Sequence, residues 1–224
     1  MRWKPHAADS LLFRCGAWQV AGMSTEEHQA LFGQCNDLMR LITEMPKPVI
    51  ASVQGMATAA GCQLVAACDL AVCSEQSQYA TPGVHIGLFC STPAVAIGRS
   101  IGRKHAMQML VTGEPISAST ALSWGLVNKV VPDAEEDKLL RGEASPDSAL
   151  YQETMSLAQT IAGHPTATIG HGKGVFYRQL EASSLQQAYG MAGKAMVEGM
   201  QKPDAQEGVA AFLGKRKPVW PSNL

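Results

Sequence analysis

Apolar residues recur at helical spacing in the stretch that follows Ser24. Separations of four, three and four residues put these side chains on one helix face: Leu31, Cys35, Leu38 and Ile42. Ser24 and Glu27 stand in the order of a capping box, which marks a helix start. Pro46 disfavours helical backbone in the residue before it. We therefore predict a helix over residues 24–45.

A strand–turn–helix–strand pattern follows that helix. Residues 49–53 are apolar and β-branched, which predicts a buried strand. Small residues stand at positions 55, 57 and 59–61. The run at 62–68, apolar except for Gln63, predicts a buried helix, and residues 69–73 predict a second strand. N–H groups at a helix N-terminus lack internal partners, so small neighbours let an anionic oxygen approach them. Tight packing of helix on sheet is the alternative role of such residues, and spacing alone favours it.

The rest of the chain alternates between short strands and helices. Ser117 is placed to cap a helix, and Gly113 and Gly125 stand where helices end. The acidic stretch 133–148 predicts an exposed loop or a frayed helix. The other predicted elements are strands at 79–80 and 127–131, a turn at 81–83, and helices at 91–101, 103–111, 117–124, 151–162, 184–200 and 203–213.

Composition limits the class of protein. The 224 residues are 46% hydrophobic and 17% charged, which is typical of one globular domain. A net charge of −1 gives no electrostatic reason to expect a nucleic-acid partner or a membrane surface. No apolar run is long enough to span a bilayer. The six cysteines include no C-x-x-C pair, so we predict buried free thiols in a reducing compartment and no bound metal.

The first 20 residues carry three basic side chains and one acid, Asp9. This balance weakly resembles a mitochondrial presequence. Pro5 and two Trp residues disfavour an amphipathic targeting helix, so we predict no transit peptide in this segment.

The turn and helix at 55–69 resemble a known signature. In the enoyl-CoA hydratase/isomerase (crotonase) superfamily this segment reads G-x-A-x-G-G-G-x-E-L followed by C-D, and here it reads GMATAAGCQL followed by Cys68-Asp69. Similarity in family order extends from about His28 to about Trp220. The further matching runs are 79–88, 110–118, 125–132 and 207–218.

This resemblance implies an α/β protein of the crotonase (ClpP/crotonase-like) fold, in which stacked βαβ turns form a curved sheet wrapped by helices. It also implies a helix over 166–180, where three glycines weaken the local propensity. We divide the chain into an atypical N-terminal segment (1–23), a partial crotonase core (24–150) and a C-terminal helical trimerisation region (151–224). Family members form trimers or pairs of trimers, so a homotrimer or hexamer is expected, or a mixed assembly with a full-length form.

In the family, two backbone N–H groups form an oxyanion hole for the thioester oxygen. The resemblance assigns one donor to Ala60, with Gly61 beside it. The other belongs to a loop reading S-[AS]-G-x-D-[LI] ahead of the first helix, which Ala21-Gly22-Met23 matches only superficially. We therefore expect the family's N-terminal strands and first donor to be absent or replaced, with a sheet edge exposed.

Family hydratases also use two glutamates. Gln63 stands at the first of these positions and Gly83 at the second. Hydration needs one group that deprotonates water and one that delivers a proton. Because an amide does not titrate near neutral pH and glycine has no side chain, we assign no catalytic side chain and predict no ordinary hydratase activity.

Three neighbouring side chains bear on other chemistry. His85 is a candidate because histidine as a residue type ordinarily titrates near neutrality, but a lone histidine is more often a surface or structural group. Cys62 is a nucleophile in principle, although no histidine is supported as its partner and a buried thiol is the better interpretation. Asp69 resembles the family's structural aspartate, with a capping or turn-forming role.

The nucleotide end of coenzyme A is expected near the C-terminus. By resemblance, Phe212 and Lys215 line it, often from a neighbouring subunit, and a lysine opposite a phosphate is physically reasonable. A solvated basic end at 215–217 is an equally supported interpretation. The expected ligand is a coenzyme A thioester, and no permanently bound cofactor is expected.

Three functions remain open at this point. The first is an acyl-CoA-binding protein of mitochondrial fatty-acid metabolism that lacks the hydratase carboxylates. The second is an enzyme, such as a hydratase/isomerase or a thioester hydrolase, that uses another base. The third is a non-catalytic subunit in mixed trimers. The mitochondrial location is implied by the resemblance alone.

Overall fold

The computed structural model describes residues 22–132 and 148–223. These residues form two compact units. The first contains the described parts of residues 1–42 and 50–154, and the second contains residues 43–49 and the described part of 155–224. The predictions for the N-terminal segment and for the loop at 133–147 lie outside the described residues.

The described part of the first unit contains six short strands. They are β1 (Ile50–Val53), β2 (Met56–Thr58), β3 (Leu70–Ser74), β4 (Gln78–Ala80), β5 (Ile116–Ser117) and β6 (Lys129–Val131). One sheet has the order β1-β3-β6, with both pairs parallel. In the other, β4 pairs parallel with β2 and antiparallel with β5. Parallel neighbours need a crossover connection, which makes this unit α/β, as predicted.

The described part of the chain contains nine α-helices. They are α1 (Thr25–Glu44), α2 (Ala60–Ala67), α3 (Ser91–Ser100), α4 (Arg103–Thr112), α5 (Ala118–Trp124), α6 (Ala149–Ala162), α7 (Thr166–Leu180), α8 (Leu185–Met200) and α9 (Pro203–Leu213). Two 3-10 helices cover Pro82–Ile86 and Pro221–Asn223. All the predicted helices in these residues are present, with ends shifted by one or two positions.

Local sequence signals account for several helix ends. Ser24 N–H donates to Glu27 Oε2 at 2.7 Å and Glu27 N–H donates to Ser24 Oγ at 3.2 Å, so the predicted capping box is confirmed. Ser117 Oγ accepts a backbone N–H from the first turn of α5, as an N-cap should. Gly113 and Gly125 end α4 and α5 in the left-handed conformation, which glycine adopts without steric cost.

The core of the first unit draws side chains from both sheets and from helices α2 to α5. Burial of these largely apolar side chains stabilises the fold by removing their surface from water. Those that are almost inaccessible to solvent include Cys62, Val72, Cys73, Tyr79, Ile97 and Met109.

The sequence pattern does not predict two of the strands. Strand β2 lies inside the stretch 55–61 predicted as a turn, and it forms because its residues pair with β4, which is distant in sequence. Strand β5 has only two residues, too few to give a pattern. The turn predicted at 81–83 is wrong in detail, since Pro82–Ile86 form a 3-10 helix.

The end of the chain caps a helix of the second unit. Asn223 Oδ1 accepts the N–H of Thr166 at 2.9 Å, which satisfies a free donor at the start of α7. Trp220 Nε1 donates to the carbonyl of Gly163 at 2.9 Å. Residues 220–223 are therefore held in place by hydrogen bonds.

Helix α8 differs from the other long helices because none of its residues is buried. Leu185 is 78% exposed and Tyr189 is 77% exposed, and further apolar side chains of the helix are open to solvent. A helix with a wide apolar face is usually stabilised by packing that face against a partner. Among the described helices, none has the length and hydropathy that crossing a membrane requires.

Candidate functional site

The turn between β2 and α2 presents two backbone N–H groups. Helix α2 begins at Ala60, and the carbonyl of Ala59 accepts the N–H of Gln63 at 2.9 Å. Within the described residues, nothing accepts a hydrogen bond from the N–H of Ala60 or Gly61. A side chain placed on Gly61 would meet no atom within 4 Å. The turn therefore has free donors and open space beside them, which a carbonyl oxygen of a ligand requires.

Ala59 sets the direction of this turn, a role that was not predicted from the sequence. Its φ of 46° and ψ of −114° lie in a region where glycine is favoured and a Cβ is strained, at a cost of about 1–3 kcal/mol. Its N–H donates to the carbonyl of Ala80 at 2.9 Å, which fixes the backbone from one side. The signal was available in the sequence, because the family pattern has glycine at this position.

Gln63 lies on the same helix, three residues after Ala60, and is 3% exposed. The helix therefore places Gln63 about one turn after the free donors. A carboxamide donates and accepts hydrogen bonds but does not exchange a proton near neutral pH. Gln63 therefore cannot act as an acid or a base.

Gly83 lies in the 3-10 helix, where a side chain has no room. A Cβ at this position would lie 2.7 Å from the carbonyl oxygen of Leu88 and 2.8 Å from Cys90 Sγ. The N–H of Leu88 donates to the carbonyl of Gly83 at 2.9 Å, which closes the loop tightly. The loop and the Cys90 thiol thus occupy the space that a larger residue 83 would need.

The Cys90 thiol is also a neighbour of Cys62 in α2. Cys62 is fully buried, and this burial, with a smaller contribution from Cys90, raises the pKa of the Cys62 thiol to about 12. A thiol with that pKa carries almost no thiolate at neutral pH. This supports the interpretation of Cys62 as a buried thiol. All five described cysteines are free, as predicted, and the half-buried Cys90 was not singled out by the sequence.

His85 is exposed on the 3-10 helix. Its Nε2 lies 2.9 Å from the carbonyl oxygen of Thr112, which ties the 3-10 helix to the end of α4. Gly113 packs so closely that a Cβ there would lie 2.7 Å from the same nitrogen. These contacts support a structural role for His85. Asp69 lies in the bend between α2 and β3, which agrees with a turn-forming role.

Phe212 and Lys215 lie near each other at the end of α9, in the second compact unit. Phe212 is 82% exposed and Lys215 is exposed as well. An exposed aromatic ring can stack on a nucleobase, and a lysine can pair with a phosphate. The structure therefore brings these two predicted residues together on one turn.

Glu207 fixes the turn that carries Lys215. Its carboxylate accepts two hydrogen bonds from the Arg216 guanidinium, at 2.6 and 2.8 Å, and one from the N–H of Val219 at 2.8 Å. The bonds from Arg216, then that from Val219, lower the pKa of Glu207 to about 2. Because this pKa is below the unfolded value, the bonds stabilise the fold at higher pH, and that stabilisation is lost as the pH falls toward 2.

A family model described as enoyl-CoA hydratase/isomerase matches residues 12–223. The chain belongs to the enoyl-CoA hydratase/isomerase family. The predicted family is therefore confirmed. Structures of this family superpose on the chain with high scores, so the predicted crotonase fold is confirmed as well.

Among solved structures of the family, an enoyl-CoA hydratase from Mycobacterium smegmatis is 46% identical and has a TM-score of 0.80, over 89% of this chain and 72% of that one. Human enoyl coenzyme A hydratase domain-containing protein 3 is 47% identical and has a TM-score of 0.79, over 92% of this chain and 76% of that one.

Similar sequences include enoyl-CoA hydratase domain-containing protein 3, mitochondrial, from Homo sapiens. It is 50% identical over 193 residues, which are 86% of this chain and 59% of that protein. The Xenopus laevis protein of the same name is 50% identical over 201 residues, 90% of this chain and 63% of that protein. The chain thus spans less than two thirds of the length of these relatives. Their names agree with the mitochondrial location predicted by resemblance.

Proposed function

We propose that this chain binds acyl-CoA thioesters in mitochondrial fatty-acid metabolism and does not hydrate them. The observation that carries the proposal is the first turn of α2. There the free N–H groups of Ala60 and Gly61 can hold a thioester oxygen, while the residue at the glutamate position is the non-titrating Gln63. With this arrangement the N–H groups can still bind the thioester oxygen, but the side chain of residue 63 cannot transfer a proton.

The loop around Gly83 supports the same conclusion. A carboxylate at residue 83 would have to begin with a Cβ that contacts a backbone oxygen at 2.7 Å. The alternative of an enzyme that uses His85 as its base is not favoured, because His85 is exposed and its Nε2 is hydrogen-bonded to the Thr112 carbonyl. Relatives named enoyl-CoA hydratase support the thioester class of ligand.

Thermal unfolding with and without butyryl-CoA tests binding. A ligand that binds only the native state at one hundred times its Kd stabilises that state by about 2.7 kcal/mol, so the Tm should rise measurably. Free butyrate is the control and should leave the Tm unchanged. An unchanged Tm with saturating butyryl-CoA would contradict the proposal.

The role of the Ala60 donor can be tested by replacing Ala60 with lactic acid, which exchanges its N–H for an ester oxygen. Loss of one hydrogen bond to the ligand should weaken butyryl-CoA binding about tenfold. Ala118 begins α5 as Ala60 begins α2, so lactic acid at Ala118 is the matched control and should leave affinity unchanged. Equal affinity of the two ester variants for butyryl-CoA would show that the Ala60 N–H does not bind the ligand.

A second candidate function is that of a non-catalytic subunit in trimers, alone or mixed with a full-length relative. The exposed apolar face of α8 favours it, because Leu185 and Tyr189 are both more than three-quarters exposed in the single chain. Light scattering should then give a trimer or hexamer, and Leu185→Asp with Tyr189→Asp should give a monomer. A wild-type chain that is monomeric, alone and with the full-length relative, would exclude this candidate.

A further inference from the structure

The second compact unit contains a cleft between helices α7 and α8, with a volume of about 220 Å³. On α7 its lining is spaced by four and three residues, which is the spacing of one helix face: His171, Val175 and Arg178. Helix α8 supplies the opposite wall with residues at similar spacing: Met191, Lys194, Ala195 and Glu198. The cleft shares no residue with the β2–α2 turn.

The cleft lies on a different side of α8 from the exposed apolar residues of that helix. Successive residues are rotated by about 100° around a helix axis, so Lys194 lies about 180° from Leu185. A partner chain packed on Leu185 and Tyr189 would therefore not have to cover the cleft.

The Arg178 side chain folds back along α7 over Gly174. A Cβ on Gly174 would lie 3.0 Å from Arg178 Nη1, so the guanidinium uses space that only glycine leaves open. Gly174 follows His171 by three residues, or about 4.5 Å along the helix axis. This fold therefore brings the guanidinium to within about one helical turn of the His171 position.

Arg178 is the cation of the cleft that lacks an acidic partner in the described part of the chain. Lys194 Nζ lies 3.9 Å from Glu198 Oε1, so its charge is partly offset. No described residue forms an ion pair or a side-chain hydrogen bond with the Arg178 guanidinium. The cleft thus offers a positive charge to an anion.

The His171 ring carries an unmet hydrogen bond. Its Nε2 is shielded from solvent and has no hydrogen-bond partner among the described residues. Such buried polar atoms are uncommon in folded proteins, because a lost hydrogen bond is not compensated there. Since the same ring lines the cleft, a small rotation of the imidazole can bring Nε2 to an oxygen of a bound ligand.

The lining defines the chemistry of that ligand. A guanidinium pairs with a carboxylate through two parallel N–H groups. The apolar part of the lining, formed by Val175, Met191 and Ala195, would be left unused by an inorganic anion. An engineered apolar cavity of about 150 Å³ binds benzene, so a cleft of about 220 Å³ has room for a benzene ring and a carboxylate.

We propose that the cleft between α7 and α8 binds a small aromatic monocarboxylate of the size of benzoate. Arg178 and the Nε2–H of His171 hold the carboxylate, and the ring of the ligand packs against Val175 and Met191. The site is additional to the thioester site, and the proposal does not depend on the function of the α2 turn.

The experiment is a titration of the full chain, labelled with ¹³C at its methionine methyl groups and followed by NMR. Met191 is the reporter inside the cleft, and its signal is assigned with Met191→Leu. Met109, which is 1% exposed in the core of the first unit, is the internal control. The probes are benzoate, benzamide and inorganic phosphate at constant ionic strength.

Benzoate should shift the Met191 signal saturably, with a Kd of about 1 mM for a ligand of this size, and should leave the Met109 signal in place. Benzamide has the same shape without the charge, so it should bind about tenfold more weakly. Inorganic phosphate has the charge without the apolar body and should leave the Met191 signal in place.

Two glycine variants separate binding from stability. Gly174→Ala and Gly172→Ala should both raise the Tm, because alanine favours a helix more than glycine does. Only Gly174→Ala should weaken benzoate binding, by about fivefold, since its Cβ displaces the Arg178 guanidinium. A Cβ on Gly172 would meet no atom within 4 Å, so Gly172→Ala should keep the wild-type Kd.

Two side-chain variants test the polar contacts. Arg178→Gln should weaken benzoate binding about tenfold, because it removes the charge-assisted pair. His171→Phe keeps a ring of similar size without its nitrogens, and it should weaken benzoate binding about fivefold. Thermal unfolding is recorded for both variants.

Three results would overturn the proposal. The first is a Met191 signal that benzoate does not move. The second is equal affinity for benzoate and for either benzamide or phosphate, and the third is an Arg178→Gln variant that binds benzoate as wild type does. If Arg178→Gln does not fold, the glycine pair decides, and an equal Kd for Gly174→Ala and Gly172→Ala would then overturn the proposal.

Discussion

The candidate site has two parts that depend on sequence in different ways. In the β2–α2 turn, Ala59 and Ala60 stand where the family pattern has glycine, yet the N–H groups remain free and the space beside them open. In the loop from Pro82 to Cys90, the change to Gly83 removes the carboxylate and the room for one. Backbone donors tolerate a change of side chain, whereas acid–base chemistry needs one particular side chain and its space.

The largest effect is expected in the loop. Gly83→Ala puts a Cβ 2.7 Å from the Leu88 oxygen, and such overpacking should lower the free energy of unfolding by about 2 kcal/mol. Gly98→Ala in α3 is the matched control, since its Cβ meets no atom within 4 Å. It should raise the free energy of unfolding by up to about 1 kcal/mol. Urea unfolding measures both. Equal stability of Gly83→Ala and wild type would show that the loop yields easily.

The same contact bears on restoring hydratase chemistry. Gly83→Glu combined with Gln63→Glu supplies both carboxylates of the family. We expect this double variant to be unstable and inactive, because the loop must first be rebuilt around residue 83. Measurable hydration of crotonyl-CoA by the double variant would contradict the account of the loop.

Gln63→Glu alone should lower the free energy of unfolding by about 2 kcal/mol at neutral pH, and this loss should depend on pH. Burial would raise the pKa of the new carboxyl above its unfolded value, so the variant should match wild type below the unfolded pKa and lose stability as the pH rises. Gln108→Glu, on an exposed face of α4, is the control and should show no such trend. Urea unfolding from pH 4 to pH 8 checks this, and a loss independent of pH would point to packing instead.

Ala59→Gly should stabilise the protein by about 1 kcal/mol, because glycine relieves the strain at φ 46°. Ala60→Gly, one residue later in helical backbone, should instead lower the free energy of unfolding by about 0.5 kcal/mol. The opposite signs of adjacent substitutions are the test, measured by urea unfolding. A loss at both positions would mean that the turn is not strained.

A chemical probe separates the two parts without changing stability. Iodoacetamide should label the half-buried Cys90 in the native protein and leave the fully buried Cys62 unmodified, whose pKa is raised by burial to about 12. Peptide mass spectrometry reads the sites, and both cysteines should react after denaturation. Labelling of Cys62 before Cys90 would show that α2 opens readily.

Most of the fold could be predicted from the sequence because its signals are local. The capping box at Ser24, the N-cap at Ser117 and the glycines that end α4 and α5 each act within one helical turn. Strand β2 could not be predicted, because its three residues are defined by pairing with β4 rather than by their own pattern.

The site divides in the same way. Ala60, Gln63 and Gly83 could be placed from the family motif because each is a position along the chain. The glycine of the family pattern also signals the strained backbone at Ala59. The contact of Cys90 with the space beside Gly83 could not be placed, because it depends on how the loop between the two residues folds.

The central claim is binding without hydration, and one titration tests it directly. Crotonyl-CoA is titrated into the protein in a calorimeter. The ligand is then recovered, and its mass is measured by mass spectrometry. The account predicts saturable heat of binding and recovery of intact crotonyl-CoA. Recovery of a product heavier by one water would contradict the loss of proton transfer at Gln63 and Gly83, and absence of saturable heat would contradict the binding role of the Ala60 turn.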